Sequence, residues 1–201
     1  MAEFETYFLS GARSLQPAAS AADQKFYQVE DEGNIIEHSD GSTWEQWGPN
    51  ATIVVVKAAD QSVTSSTTLV DDDDLAFPIK ASEVWAAEFN LFYNGAIGGD
   101  LKVAFTVPAG ATGNWSITGP AVAQSSGVLE NTMQNGAKLD TFGTAIAVGA
   151  SGTGQATELA VIKVLVVNST TAGAVTLQWA QNASDGDPTT IKKNSYLVAR
   201  K

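Results

Sequence analysis

Leu159-Ala160-Val161-Ile162-Lys163-Val164-Leu165-Val166-Val167 is the stretch that decides the fold. Eight of its nine side chains are apolar, and five of those are the β-branched Val or Ile. Such side chains are stiff at χ1 and favour a pleated strand over a helix. The run is also far short of the roughly 20 apolar residues a membrane helix requires. As a strand it places Ala160, Ile162, Val164 and Val166 on one face and Leu159, Val161, Leu165 and Val167 on the other. A strand apolar on both faces is buried on both. In a two-sheet sandwich the outer face meets water, so a second apolar face predicts a cover. A subunit partner supplies one, and the expectation is a homotrimer with Ile162, Val164 and Val166 at its interface.

Working outward, the same strand signal recurs. Trp85, Ala87, Phe89, Leu91 and Tyr93 alternate with Glu88 and Asn90. Leu101, Val103, Phe105 and Val107 alternate with Lys102 and Thr106, and Pro108 ends that run. Ile53 to Val56, Trp115 with Ile117, Val175-Leu177-Trp179 and Tyr196 to Arg200 supply further strands. Glycine-rich turns separate them, and no repeat of solenoid length recurs. The fold class is all-β: an N-terminal extended anchor and linker at 1–22, a small β-meander module at 23–50, and a jelly-roll β-sandwich at 51–201.

The composition agrees. Hydrophobic residues make up 44% of the 201 and charged residues 16%, which suits a packed core. The 22 acidic and 11 basic side chains give a net charge of -11. That charge repels phosphate backbones and anionic lipid, so neither nucleic acid nor membrane is expected as a partner. With no cysteine, disulfides and thiolate chemistry are excluded. Met1-Ala2-Glu3-Phe4-Glu5 lacks a basic leader, so synthesis in the cytoplasm is expected.

In residues 1–22, Phe4, Tyr7, Phe8 and Leu9 precede a Ser/Ala/Gln/Pro stretch. Aromatic residues on a terminal segment of this kind read as anchors that dock on a partner. In the module, Lys25–Val29, Asn34–His38 and Thr43–Trp47 are three short strands joined by Gly-containing turns. Three such strands cannot stand alone.

No constellation carries catalysis, and no cofactor or metal is expected to be needed. His38 is the only histidine; it precedes Asp40-Gly41 and reads as a solvated turn residue. Asp71-Asp72-Asp73-Asp74 reads as a solvated loop, because four adjacent carboxylates repel one another. Its spacing lacks the alternating ligands of a dedicated calcium loop. The Gly149–Gly154 stretch lacks the Lys-Ser/Thr of a phosphate loop and reads as flexible. Of the five tryptophans, Trp85 and Trp179 read as core, while Trp44 and Trp47 fall on opposite faces of one strand.

Phe26-Tyr27, Asp31-Glu32-Gly33-Asn34, Ile35-Ile36 and Asp40-Gly41-Ser42-Thr43-Trp44 resemble a β-module of tailed-phage fibre and other virion proteins. Ile35-Ile36 departs from the Leu-Tyr often found there. The main domain resembles the trimeric jelly rolls of tumour-necrosis-factor and C1q type, through its strand order, its Gly/Ala/Ser loops and its last strand, Ser195-Tyr196-Leu197-Val198. The resemblance implies a non-enzymatic capsid decoration or head-fibre protein on the virion surface. Its expected partners are two further copies and the major capsid protein or another virion protein. The alternative is a tail-fibre or receptor-binding carbohydrate-binding module that engages a host-surface glycan.

Overall fold

The structure is a computed structural model that describes residues 8–30, 35–46, 52–122, 133–139, 141–152 and 157–201. The chain divides into two compact units, residues 1–51 and 52–201.

The first unit is a four-stranded sheet in the order β1 (Phe8–Gly11), β2 (Phe26–Val29), β3 (Ile35–Ser39) and β4 (Trp44–Gln46). The β2-β3-β4 meander is antiparallel. Its second turn is built by Asp40, whose carboxylate accepts the backbone N–H groups of Ser42 and Thr43 at 2.8 Å each. Those two donors hold the Asp40 carboxyl below the usual carboxylate range. Gly41 there has φ +85°, a left-handed conformation that favours glycine. His38 lies inside β3, not in the turn, and its half-buried ring packs on Phe26 at 4.9 Å.

Residues 8–22, read from sequence as anchor and linker, join this sheet. β1 runs parallel to β2, with Phe8 opposite Phe26. A parallel pair needs a crossover, and two short 3-10 turns, Arg13–Leu15 and Ala19–Ala21, provide it. Ala19 and Ala22 are buried. The crossover is tied down through its carbonyls: Trp44 Nε1 donates to Pro17 (2.8 Å), Tyr27 OH to Ala12 (3.0 Å) and Ser39 Oγ to Ala19 (2.9 Å). Arg13 adds an ion pair to the buried Glu37 at 2.6 Å. These partners are 15 to 27 residues apart, which is why local composition reads as linker.

Among the described residues the second unit holds twelve strands: β5 (Thr52–Val56), β6 (Gln61–Val63), β7 (Val70–Ile79), β8 (Val84–Asn94), β9 (Leu101–Thr106), β10 (Thr112–Pro120), β11 (Met133–Leu139), β12 (Ile146–Val148), β13 (Glu158–Val167), β14 (Gly173–Ala180), β15 (Thr189–Ile191) and β16 (Tyr196–Arg200). The large sheet runs β11-β10-β13-β8; β8 then pairs at one end with β15, which pairs with β6, and at the other with β16, which pairs with β5. The small sheet runs β12-β9-β14-β7. Successive strands alternate between the sheets, except that β5 and β6, β10 and β11, and β15 and β16 stay in one. This is the wiring of a jelly-roll sandwich, with the β10-β11 hairpin widening the large sheet.

The core lies between the sheets. Phe89 of the large sheet meets Phe105 of the small one at 5.2 Å, Phe105 meets the edge of Trp115 at 5.3 Å, and Phe77 meets Trp85 at 5.6 Å. Trp179 is fully buried, as its alternating strand predicts.

The tetra-aspartate run is not a loop: Asp71 to Asp74 lie within β7. Two features remove the repulsion that argued otherwise. The ladder is bulged there, because β14 advances from Thr176 to Gln178 while β7 advances from Ala76 to Asp71. Within the bulge Asp72 Oδ1 accepts the N–H groups of Asp74 (3.1 Å) and Leu75 (2.9 Å). The buried Lys57 then places its ammonium 3.0 Å from Asp72 and 3.6 Å from Asp74.

Candidate functional site

The register of the large sheet sorts its side chains cleanly. Val167 stands opposite Val84, Leu165 opposite Ala86, Lys163 opposite Glu88, and Leu159 opposite Phe92. Beyond β8, Val198 of β16 continues the Glu88 row and pairs with Val54 of β5. All of these point away from the core. Within one chain Leu159, Leu165 and Val167 remain 43%, 41% and 39% exposed, and Val54, Val56 and Val84 are exposed as well. The outer face is therefore an apolar strip with a charged pair, Lys163 and Glu88, in its middle.

A broad concavity of about 850 Å³ opens on this face, lined among others by Ala86, Glu88, Ser116, Lys163, Leu165 and Val198. Lys138 and Arg200 also border it, so basic groups outnumber the one acidic residue. The buried Trp115, Ala87 and Val164 also line it.

The residues expected at a subunit interface lie elsewhere. Ile162, Val164 and Val166 are 0%, 4% and 0% exposed in the single chain, because they face the small sheet. They are core, and the opposite face of β13 is the one left wet. The signal was in the sequence: Lys163 shares its parity with Leu159, Leu165 and Val167, and a lysine marks the solvent side.

Of the expected anchor residues, Phe8 is exposed and Leu9 half-buried on β1, while Phe4 and Tyr7 lie outside the described residues. Among the tryptophans, Trp85 and Trp115 are buried with Trp179, and Trp44 is half-buried with its N–H engaged by Pro17. Trp47 lies outside the described residues. Of the Gly149–Gly154 stretch, residues 153 and 154 also lie outside. Gly149, Ala150 and Ser151 are buried and hydrogen-bonded rather than open loop.

No protein-family model matches the chain, and no curated protein does. Among solved structures, the Gt strain of infectious bursal disease virus is similar at 10% identity and a TM-score of 0.21. That match covers 87% of this chain and 45% of the other. The VP2 subviral particle of the same virus is similar at 11% identity and a TM-score of 0.21, over 86% of this chain and 49% of the other. The chain thus spans less than half the length of either, and overlap this low carries no inference. The jelly-roll assignment rests on the strand order alone.

Proposed function

We propose that this chain is a non-enzymatic bacteriophage virion structural protein, a homotrimeric capsid decoration or head-fibre protein at the virion surface. The observation that carries the reading is the outer face of the large sheet. A lone chain leaves Leu159, Leu165, Val167 and Val84 exposed on one face of the sheet, with Lys163 and Glu88 between Leu159 and the other three. Covering ~200 Å² of such surface is worth roughly 5 kcal/mol per chain before the costs of association.

The first unit supplies the attachment in this reading. Residues 1–51 carry nine acidic and two basic side chains, most of the net charge in a quarter of the chain. Such a segment suits a basic surface on the major capsid protein or another virion protein. The carbohydrate-binding alternative needs an aromatic platform, and Trp44, Trp85, Trp115 and Trp179 are each buried or half-buried.

Reconstitution onto particles lacking the chain tests the proposal. Deleting residues 1–7 removes Phe4 and Tyr7 and leaves every described strand in place. The expected result is a trimer that no longer joins particles. Full occupancy by the truncated chain would place the anchor elsewhere, and failure of the intact chain to bind any particle would overturn the reading.

A further inference from the structure

Lys57 directly follows β5, and Asp72 lies in β7. Among the described residues β5 pairs only with β16 and β7 only with β14, so each is an edge strand of its own sheet. The two side chains meet across the sandwich, sealed from solvent, with Lys57 Nζ donating to Asp72 Oδ1 at 3.0 Å. The same oxygen accepts two backbone N–H groups, from Asp74 at 3.1 Å and Leu75 at 2.9 Å. The other oxygen, Oδ2, is buried with no hydrogen-bond partner. A second carboxylate stands within reach: Asp74 Oδ2 is 3.6 Å from Nζ and is held there by the Ala58 N–H at 3.1 Å. Gln61 Oε1 accepts from Nζ at 3.0 Å and steadies the nitrogen.

The lopsided solvation of Asp72 is costly for a pair that only stabilises, because a buried carboxylate oxygen without a donor carries an unpaid desolvation penalty. It suits addition to the carboxyl carbon. Donors gathered on one oxygen stabilise the negative charge that develops there when a nucleophile adds. The oxygen without donors is the one free to leave. The nucleophile is already placed, since a nitrogen bonded to Oδ1 needs only a short sideways shift to reach the carbon. Two buried charges are also expensive to keep, and condensation removes both.

We propose that Lys57 and Asp72 condense into an intramolecular amide bond, with Asp74 carrying the protons. One ammonium proton passes through the Asp74 carboxylate to Asp72 Oδ2, leaving a neutral amine beside a neutral acid. Nζ then adds to the carboxyl carbon, and Oδ1 takes the charge under the Asp74 and Leu75 amides. Asp74 removes a second proton from nitrogen and delivers it to Oδ2. The bond from carbon to Oδ2 breaks, water leaves and the carbonyl reforms at Oδ1. An ammonium and a carboxylate become an amide and one water, with nothing oxidised or reduced and Asp74 returned to its starting state. The product ties the edge of one sheet to the edge of the other and closes the loop between residues 57 and 72. A cross-link of that kind restricts the unfolded chain as a disulfide does, in a protein that has no cysteine. It is formed within one chain and does not depend on the oligomeric state.

Mass spectrometry of the denatured full chain tests this. The expected mass is about 18 Da, one water, below that of the sequence. Digestion should release a branched peptide in which Lys57 is joined to Asp72. Lys57→Met should show the full sequence mass, and that reading holds whether or not the variant folds. Asp74→Asn keeps both reacting groups and their ion pair, and the cross-linked fraction should fall at least tenfold. Asp73→Asn, on an exposed position of the same run, should cross-link as the wild type does. A wild-type chain at full sequence mass after long incubation in native buffer would overturn the proposal. So would a loss of water that persists in Lys57→Met, which would mark a cyclised aspartate elsewhere. Complete cross-linking in Asp74→Asn would overturn the role given to Asp74.

Discussion

Lys57 Nζ lies 3.0 Å from Asp72 Oδ1, and the two side chains are 1% and 0% exposed. This pair turns a run of four aspartates into part of a strand. Breaking a buried pair from one side leaves an uncompensated charge, which costs about 3–5 kcal/mol. Lys57→Met should destabilise the second unit by that amount in urea unfolding. Asp72→Asn keeps the oxygen that accepts from Asp74 and Leu75, so the double variant should recover part of the loss. A Lys57→Met cost under about 1 kcal/mol would show that the pair contributes little.

Gly113 lies on β10 opposite Val166 of β13. Its φ is +144°, and a Cβ there would stand 2.0 Å from the Leu165 carbonyl oxygen. Gly113→Ala should therefore cost more than about 3 kcal/mol, since backbone and not a flexible side chain must move. Gly143, with nothing within 4 Å of its Cβ position, is the control. Gly143→Ala should stay within about 0.5 kcal/mol. Equal melting temperatures for the two variants would contradict this account of the β10-β13 contact.

Residues 8–22 belong to the first sheet, so their loss should be felt there. Deleting residues 1–22 removes β1 and the buried Ala19 and Ala22. Amide exchange should show the 26–46 meander unprotected, while the unit from Thr52 onward keeps its protection. Trp44→Phe removes the bond to Pro17 and shrinks the ring that packs on Tyr27, at a cost of at least about 1 kcal/mol. It should speed proteolysis within residues 12–22 without touching the second unit.

Much of this architecture is legible in the chain. The alternation at Trp85–Tyr93, Leu101–Thr106 and Val175–Trp179 gives real strands, each with one dry face and a second face that is wetter except at Asn90 and Ala104. Leu159–Val167 is legible as a strand but ambiguous in its facing, since apolar side chains occupy both parities. Only Lys163 breaks that symmetry. The strand at Asp71–Asp74 is not legible locally. Its cation lies 15 residues upstream at Lys57, and only the fold brings the two together.

The two faces of β13 give opposite expectations for one chemical change. Leu165→Lys should keep the native circular dichroism and melting behaviour of the folded chain while lowering its association. Val164→Lys puts the same charge into the core and should abolish folding. Similar outcomes for the two variants would contradict the assignment of faces.

In the proposed trimer, further copies of this chain cover the outer face of the large sheet. Sedimentation equilibrium of the intact protein at micromolar concentration tests it most directly, with Leu165→Lys run in parallel. The wild type should sediment at three times the 21.0 kDa chain mass, and the variant should shift toward the single-chain mass. A wild-type protein that sediments as a stable 21.0 kDa monomer would contradict it.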